Sequence, residues 1–458
     1  MTETPVDPTI FKAYDVRGLY GEQIDEHVAY RLGNAFAAVL AEKEDKPAAE
    51  LRIALGHDMR LQAPALAARY ADGIRDSGAA VLDAGQVATE MLYFAIGSRE
   101  LDGGLMCTAS HNPKAWTGAK LLGRGALALS GEEGIAQVRD AVERGSRTAP
   151  ERGTHEQIEV AEGFRAKALE FIDAERIRPM KVVLDGGNGM AGPMIGPILD
   201  GLPLEQRSAY WTPDGECPDH EPNPLLPENR AFIVEKVKTE GADLGIAWDG
   251  DADRCFFIDD EGRFVDGDFL TALLAQSVLA KDPGAEILYD VRASRAVADT
   301  VERAGGTAKM NRVGHAFFKA RMRKEGAAFG GEVSGHYYFR EFYCADSGTL
   351  PALLVLELLS RSGKRLSELI ASVSEGYFIS GEINSEVSDT EAKMAEIAKR
   401  YSEGEITELD GISIDYPDWH FNVRPSNTEP LLRLNLESLV SVEDMERRRD
   451  ELLGLIRG

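Results

Sequence analysis

Gly104-Leu105-Met106-Cys107-Thr108-Ala109-Ser110-His111-Asn112-Pro113 is the stretch on which the reading of the fold turns. Its first four residues form an apolar run that suits a short buried strand, and the next six break abruptly into polar residues and a proline. Ser110 is therefore expected on a loop just past a strand end. Open α/β sheets bind ligands in that place, outside the carboxyl ends of their strands. A serine hydroxyl is a poor nucleophile at neutral pH unless a base takes its proton or a metal stabilises the anion. His111 and Lys120 are close in sequence, and Asp249-Gly250-Asp251-Ala252-Asp253-Arg254 forms a metal-like cluster further along. Read alone, Ser-His-Asn-Pro fits an ordinary turn better. The later motifs reverse that balance.

Outward from this point the chain repeats an α/β pattern. Before it come a helix over 27–41, a strand at 51–55 ending at Gly56-His57-Asp58, a helix over 63–77 and a strand at 79–82, a βαβ arrangement. After it come a helix near 132–144 and a polar stretch, 145–153, that suits a linker. A helix over 161–173 and the strand 181–184 follow, the strand ending at Asp185-Gly186-Gly187-Asn188-Gly189. Then come an irregular Pro-rich stretch (213–227), a helix (228–239) and the strand 243–248, which delivers the Asp cluster. A helix at 268–280, a strand at 287–289 and a helix over 294–304 lead on to 327–330, which delivers Glu332-Val333-Ser334-Gly335-His336. Three α/β units thus each end a strand at a polar loop. The remainder, 371–458, mixes strand-like runs (412–416, 431–436) with helices near 389–402 and 442–456 and reads as a smaller α+β domain. Arg424-Pro425-Ser426-Asn427-Thr428-Glu429-Pro430 is expected as the turn between its strands.

Composition bounds the function. A length of 458 residues suggests about three domains at roughly 150 residues each. Hydrophobic content of 43% and charged content of 28% are ordinary for a soluble globular protein. A net charge of −26 argues against a general nucleic-acid binder, which needs a basic face. It leaves room for an anionic small substrate, because local arginines can make a positive cleft on an acidic protein. Cys107, Cys217, Cys255 and Cys344 lie far apart with no C-x-x-C pair, which fits a reducing compartment. No apolar run approaches the ~20 residues of a membrane span, and the N-terminal residues carry no apolar signal segment. A cytoplasmic location is expected.

The Asp cluster sets three carboxylates at alternating positions in a turn, a density of hard oxygen ligands that suits Mg²⁺ or Ca²⁺. An EF-hand would need glycine at loop position six and glutamate at twelve, where this chain has Arg254 and Asp260. The bland alternative is a solvated Asp-Gly turn, but closely spaced acids repel unless a cation or solvent relieves them. Arg254 makes sense beside a phosphate, as a charge-assisted donor. Arg424 to Thr428 offers a guanidinium, two hydroxyls and an amide within five residues, a donor set suited to phosphate. Gly187-Asn188-Gly189-Met190-Ala191-Gly192 fits G-x-G-x-x-G after a strand, with Glu205 further on, the cue for a dinucleotide-dependent dehydrogenase. That reading leaves Ser110 and the Asp cluster without a role. Its alternative is a glycine turn that lets a helix pack closely on the sheet.

Together these motifs resemble the α-D-phosphohexomutases, in particular the bacterial phosphomannomutase/phosphoglucomutase branch, over almost the whole chain. Ser110 in Thr-Ala-Ser-His-Asn-Pro looks like the family's phosphoserine, and Asp249, Asp251 and Asp253 look like its Mg²⁺ loop, which Ser110 completes. Gly331-Glu332-Val333-Ser334-Gly335-His336 looks like its sugar loop, and Arg424-Pro425-Ser426-Asn427-Thr428 like its phosphate loop. Tyr14 and Arg17 match its N-terminal segment, and Lys120 and His315 match further active-site positions. Two positions depart from the pattern. Thr117 stands where many relatives carry asparagine, and Arg292 where this branch usually has a substrate-contacting lysine. Arginine keeps the charge but changes the hydrogen-bond geometry.

The resemblance implies four domains around a central cleft, heart-shaped, three of similar α/β topology and a smaller α+β domain last. The expected divisions are 1–150 with the phosphoserine loop, 151–256 with the metal loop, 257–370 with the sugar loop and 371–458 with the phosphate loop. The composition estimate of three domains is low by the last one. The implied reaction is reversible phosphoryl exchange between the 1- and 6-positions of a hexose, with Mg²⁺ as cofactor and a hexose 1,6-bisphosphate as intermediate and activator. Phosphoserine at Ser110 would donate to the bound sugar phosphate. The bisphosphate would reorient and return its other phosphate to Ser110. His111, Lys120, Arg17 and His336 are expected to serve proton transfer or charge stabilisation. Tyr14, Arg254, Arg292, His315, Glu332 and Ser334 are expected to bind substrate, with Arg424, Ser426, Asn427 and Thr428 on its phosphate. The expected partner is a hexose phosphate, with no nucleic acid and no membrane, in a monomer or dimer. Phosphoglucosamine mutase is the alternative inside the family, although that branch more typically has glutamine where this chain has Val333. A metal-dependent phosphatase with a serine nucleophile is the alternative outside it.

Overall fold

The apolar run before Ser110 forms the strand Gly103–Cys107, buried at every position. A strand covered on both faces reads as a continuous apolar run rather than an alternation. It is third in a six-stranded sheet ordered Val16–Leu19, Trp116–Gly123, Gly103–Cys107, Arg52–His57, Ala80–Gln86 and His155–Gln157. The last four run parallel, and the first two are antiparallel additions at one edge. Helices Glu26–Glu44, Ala63–Asp76 and Ile135–Glu143 share a core with this sheet that buries Phe36, Leu40, Leu66, Tyr70 and Val138. The first of these helices starts at Asp25, whose carboxylate accepts from Val28 N and satisfies one of the end's orphan amides.

The structure is a computed structural model that describes residues 5–131, 134–426 and 431–458. Asn427 and Thr428, expected in the phosphate loop, lie outside the described residues. The chain divides into two units, Met1–Val265 with His336–Leu366, and Asp266–Gly335 with Ser367–Gly458.

The first unit contains a second sheet, ordered Phe264–Val265, Cys255–Ile258, Leu244–Trp248, Met180–Asp185 and Leu204–Ala209. Its last three strands are parallel, and Cys255–Ile258 returns antiparallel to Leu244–Trp248. The two sheets therefore treat their functional loops alike. Ser110 lies between a parallel strand and an antiparallel return, and so does the Asp cluster, between Trp248 and Cys255, which face each other across the pair. Helices Ala191–Leu199 and Pro227–Glu240 belong to the second sheet's layers.

In the second unit, Glu286–Asp290 lies between Thr307–Asn311 and Phe329–Gly331, all parallel. Helices Gly267–Lys281, Arg295–Arg303 and His315–Glu325 accompany them. The C-terminal part is antiparallel, with Trp419–Pro425 between Ile412–Tyr416 and Leu431–Ser438. Its core stacks Trp419 on Phe421, with Tyr401 edge-on to both. Helix Val442–Arg457 starts at Ser441, whose side chain accepts from Asp444 N, the cap such a position favours.

One expectation needs correction. Arg424 was expected in a turn between strands, but it belongs to the strand Trp419–Pro425, whose alternation is hidden because six of its positions are buried. Lys120, assigned to no element from sequence, lies in the strand Trp116–Gly123, where a buried lysine and two glycines break any apolar pattern. The glycines of 187–192 serve close packing. A Cβ on Gly192 would lie 1.8 Å from the carbonyl oxygen of Trp211, and one on Gly189 2.6 Å from that of Gly250. The protein's own backbone fills the space that a pyrophosphate would need. Among the described residues, no helix is long and apolar enough to cross a membrane.

Candidate active site

Ser110 adopts φ 49°, a left-handed conformation that costs a residue with a Cβ about 1–2 kcal/mol. Its peptide group is clamped on both sides. Ser110 N donates to Thr108 Oγ1 (2.8 Å), which in turn donates to Asp58 Oδ2 (2.7 Å). Ser110 O accepts from Arg60 Nη2 at 2.8 Å. The same guanidinium donates to the carbonyls of Asn112, Pro113 and Trp116 at 2.7, 3.1 and 3.0 Å. Arg60 is 3% exposed, and its rigid fork of donors organises the whole loop. Strain held at one residue by surrounding structure that over-determines it is characteristic of functional sites.

The Asp cluster meets this serine directly. Ser110 Oγ donates to Asp249 Oδ2 at 2.7 Å. The same oxygen accepts from Arg254 Nε at 2.9 Å, and Oδ1 accepts from Arg254 N at 3.1 Å. Close approach of the two loops depends on Gly250, where a Cβ would lie 2.6 Å from Ser110 O. Asp251 Oδ2 accepts from Thr89 Oγ1 at 2.5 Å and from Lys120 Nζ at 2.7 Å. Lys120 Nζ also donates to Asp253 Oδ2. All three acids are buried, and one oxygen of each lies within 4.8 Å of the others. Asp251 Oδ1 and Asp253 Oδ1 are buried without a hydrogen-bond partner among the described residues. Unpaired buried carboxylate oxygens are costly, and hard oxygen donors at this density suit a divalent cation. The donor set fits a metal ion.

Charge balance assigns the protonation states. Burial alone would lower Lys120, but Asp251 and Asp253 hold it well above its ordinary value, so it is a fixed cation. Asp251 is lowered: burial would raise it, but Lys120 outweighs that. Asp253 is raised by burial and by the charge of Asp251. Two acids sharing one cation cannot both be fully relieved. His111 Nδ1 is 3.2 Å from Ser110 Oγ. Burial, then Arg254 and Arg17, push its pKa well below the ordinary value, so it is neutral at pH 7. Arg17 pairs with Asp15 at 2.6 Å and donates to Ala109 O at 2.7 Å and to Asn112 Oδ1. Tyr14, half-buried, sits in the bend just before it. His336 Nδ1 is 2.9 Å from Asp346 Oδ2 and 4.0 Å from Asp253 Oδ1.

In the second unit the loop 332–335 hangs on Asp290, which is fully buried. Asp290 Oδ2 accepts from Val333 N (2.9 Å) and Arg292 Nη2 (2.7 Å), and Oδ1 from Arg292 Nε (3.0 Å). Arg292 is thus bound bidentately, a geometry that lysine lacks. Glu332 Oε2 accepts from Gly314 N at 2.8 Å and lies 3.8 Å from Arg292 Nη2. His315 opens the helix that follows Gly314. Ser334 is half-buried in the same loop. Arg424 Nη2 donates to Glu382 Oε2 at 2.8 Å, and Ser426 N donates to Leu431 O at 2.9 Å.

Comparison with known proteins settles the family. Its domain descriptions match in order: phosphoglucomutase/phosphomannomutase alpha/beta/alpha domain I over residues 8–148, domain II over 162–262, domain III over 266–377, and the C-terminal domain over 382–455. The chain belongs to the phosphoglucomutase/phosphomannomutase family. It is 42% identical over 452 residues to the phosphohexose mutases protein of Xanthomonas campestris pv. campestris, covering 98% of this chain and 99% of that one. It is 42% identical over 458 residues to the phosphomannomutase of Escherichia coli K12, again covering 98% and 99%. A crystal structure of a phosphoglucomutase/phosphomannomutase family protein from Burkholderia thailandensis superposes with a TM-score of 0.88 at 32% identity, over 97% of each chain. The chain is an enzyme of the isomerase class, with three α/β domains and a C-terminal domain.

Within this phosphoglucomutase/phosphomannomutase chain, one unit gathers Arg17, Ser110, His111, Lys120, Asp249, Asp251, Asp253, Arg254 and His336. The other links Arg292, Glu332 and Arg424. Sequence reading passed over Asp58, Arg60, Thr89, Asp290, Asp346 and Glu382. Only Asp58 and Asp290 carried a signal, as polar residues at the ends of recognised strands.

Proposed function

We propose that this enzyme interconverts the 1- and 6-phosphates of mannose and of glucose through a phosphorylated Ser110. The observation that carries the reading is Ser110 Oγ, 2.7 Å from Asp249 Oδ2, in a buried nest of acids. A nucleophile placed on a cation-binding cluster suits phosphoryl transfer, where catalysis is positioning and charge stabilisation. Asp249, Asp251, Asp253 and Ser110 would hold Mg²⁺, which supplies neutralisation of charge on the transferring group. Arg254 presents a buried Nη2 that has no acceptor among the described residues and would bind an oxygen of that group. Arg17, charged and fixed by Asp15, would stabilise the same charge.

For proton transfer we favour His336. Lys120 is held as a cation by two carboxylates, which makes it a poor base. His336 Nδ1 lies 2.9 Å from Asp346 Oδ2, a carboxylate that orients its ring. Neutral His111 would donate from Nδ1 to Ser110 Oγ, whose own proton goes to Asp249, and so orient the unphosphorylated serine. Glu332 and Ser334 would hold sugar hydroxyls, and Tyr14, Arg292 and His315 would also bind substrate. Arg424, Ser426, Asn427 and Thr428 would grip the phosphate that is not reacting. The sugar-binding acid, Glu332, is oriented by a backbone amide and an arginine, which suits the hydroxyls that mannose and glucose share. A hexose 1,6-bisphosphate would prime Ser110. Each of the domains 1–150, 151–256, 257–370 and 371–458 would contribute one loop, and with its free thiols the enzyme would work in the cytoplasm.

The test offers mannose, glucose and glucosamine 1-phosphates with Mg²⁺ and a trace of bisphosphate, followed by phosphorus NMR. Formation of 6-phosphates from the first two is expected. Net release of inorganic phosphate would replace this reading with a phosphatase, and a sole preference for glucosamine phosphate would move it to the other branch.

A further inference from the structure

Arg424 and Arg433 face each other directly across the strands Trp419–Pro425 and Leu431–Ser438. Like charges in that relation repel, and a third guanidinium, Arg292, is close by. The carboxylate of Glu382 sits among them. Its Oε2 is 2.8 Å from Arg424 Nη2 and 3.7 Å from Arg292 Nη1, and its Oε1 is 3.2 Å from Arg433 Nη1. Burial, which alone would raise Glu382, is outweighed by Arg292 and Arg424, so it is ionised. Arg292 is already matched by Asp290. Glu382 therefore serves mainly the Arg424–Arg433 pair and neutralises one of its two charges.

Two further observations point to a ligand that shares these guanidinia. The Nε atoms of Arg424 and Arg433 are buried without an acceptor among the described residues. The arginine is also the more buried partner: the Arg424 side chain is 8% exposed and that of Glu382 25%. Glu382 lies just outside the strand Ile383–Glu386.

We propose that Glu382 is an internal anion that competes with the ligand phosphate for Arg424, and so sets how weakly this subsite holds it. The inference rests on the reading of Arg424 as a phosphate-binding residue. A phosphate monoester carries about −1.5 to −2 at pH 7, a match for two guanidinia left unopposed. With Glu382 present, binding exchanges one ion pair for another. Release then leaves no bare buried cation, which would otherwise be costly. An enzyme whose intermediate presents its two ends in turn has to let each phosphate go, and a carboxylate that returns to Arg424 speeds that release.

Titration calorimetry of the full-length enzyme with glucose 1-phosphate and with inorganic phosphate, on wild type, E382Q and R424A, separates the possibilities, with thermal unfolding as the check on folding. E382Q should bind the sugar phosphate about tenfold tighter, the scale of one charge-assisted bond. Its KM and kcat should fall together as release slows. R424A should bind at least about tenfold more weakly. If R424A binds like wild type, the phosphate-binding reading fails, and the competition proposal with it. If R424A loses affinity while E382Q binds no tighter than wild type, Glu382 merely positions Arg424 and the proposal is overturned. Should E382Q fail to fold, E382D keeps the charge and shortens its reach. Tighter binding by E382D supports competition, and equal or weaker binding overturns it.

Discussion

The acidic centre of the first unit and the guanidinium cluster of the second are built on opposite signs with the same device. Each holds an internal ion of the other charge. Lys120 lies on Asp251 and Asp253, and Glu382 lies on Arg424 and Arg433. They differ in how firmly the device is held. Lys120 is 5% exposed, its partners 0% and 1%, and the serine loop beside them is clamped by Arg60 through four carbonyls. Glu382 is five times more exposed, at 25%. Chemistry at a transferring group rewards fixed geometry, whereas the proposed phosphate grip, which would have to open in each cycle, would reward an exchangeable ion pair.

The largest expected effect falls on the rigid side. On the proposed mechanism Ser110→Ala removes the covalent route, and the mutase rate should drop by about a thousandfold or more, with sugar-phosphate affinity nearly kept. Intact mass with peptide mapping should find phosphate on Ser110 of the active wild type and none on the variant. Full activity in Ser110→Ala would erase the distinction between the two centres.

Asp251→Asn comes next. A group that acts on charge at the transferring phosphoryl is expected to lower kcat by roughly 100- to 1,000-fold, with little change in binding. Chelation should silence the wild type and added Mg²⁺ restore it. A wild-type rate indifferent to chelation would mean that the three acids do not hold a metal.

On the exchangeable side, Arg424→Ala should act on affinity. A charge-assisted hydrogen bond to phosphate contributes about 1.5–3 kcal/mol, roughly 10- to 150-fold. On the proposed mechanism, in which either end of the sugar is presented in turn, both the 1-phosphate and the 6-phosphate should weaken by similar factors. Ser110 should still be phosphorylated by an external bisphosphate, more slowly. A large kcat loss without an affinity loss would place Arg424 with the reacting groups instead.

The split between the two centres also governs what the sequence revealed. The strand–loop order, the serine, the three acids and the loop from Glu332 were legible because each is a contiguous run after an apolar strand. The supports were not. Arg60 reaches Ser110 across 50 residues and Thr89 reaches Asp251 across 162, so no local pattern marks them. Arg424 looked like a turn residue because its strand is buried on both faces. Lys120 looked unplaced because a lysine in a covered strand has no periodic signal. The pairing of Arg424 with Arg433, and Glu382 between them, exists only in the strand register.

The smallest expected effect tests the support beneath the rigid centre through its pH dependence. Glu90 follows Thr89, which holds Asp251 through its hydroxyl and its amide. Its carboxylate is fully buried and accepts from Ser347 Oγ and from Thr349 N (3.2 Å) and Oγ1 (2.5 Å). Burial pushes its pKa up to about 8, against the lowering effect of these donors. The folded state therefore binds this proton more tightly than the unfolded chain, where an ordinary glutamate titrates near ~4.3. Stability from this group is complete below that ordinary value and is lost as pH rises to about 8, the sign that linkage requires. Glu90→Gln has the same shape, keeps an acceptor oxygen and does not titrate. Relative to wild type, its melting temperature should climb between pH 5 and pH 8, by on the order of 2 °C, and the two curves should run parallel above that window. Parallel curves across the whole range would show that Glu90 is ionised in the folded protein, with its hydroxyl and amide donors sufficient to hold a buried negative charge next to the acidic centre.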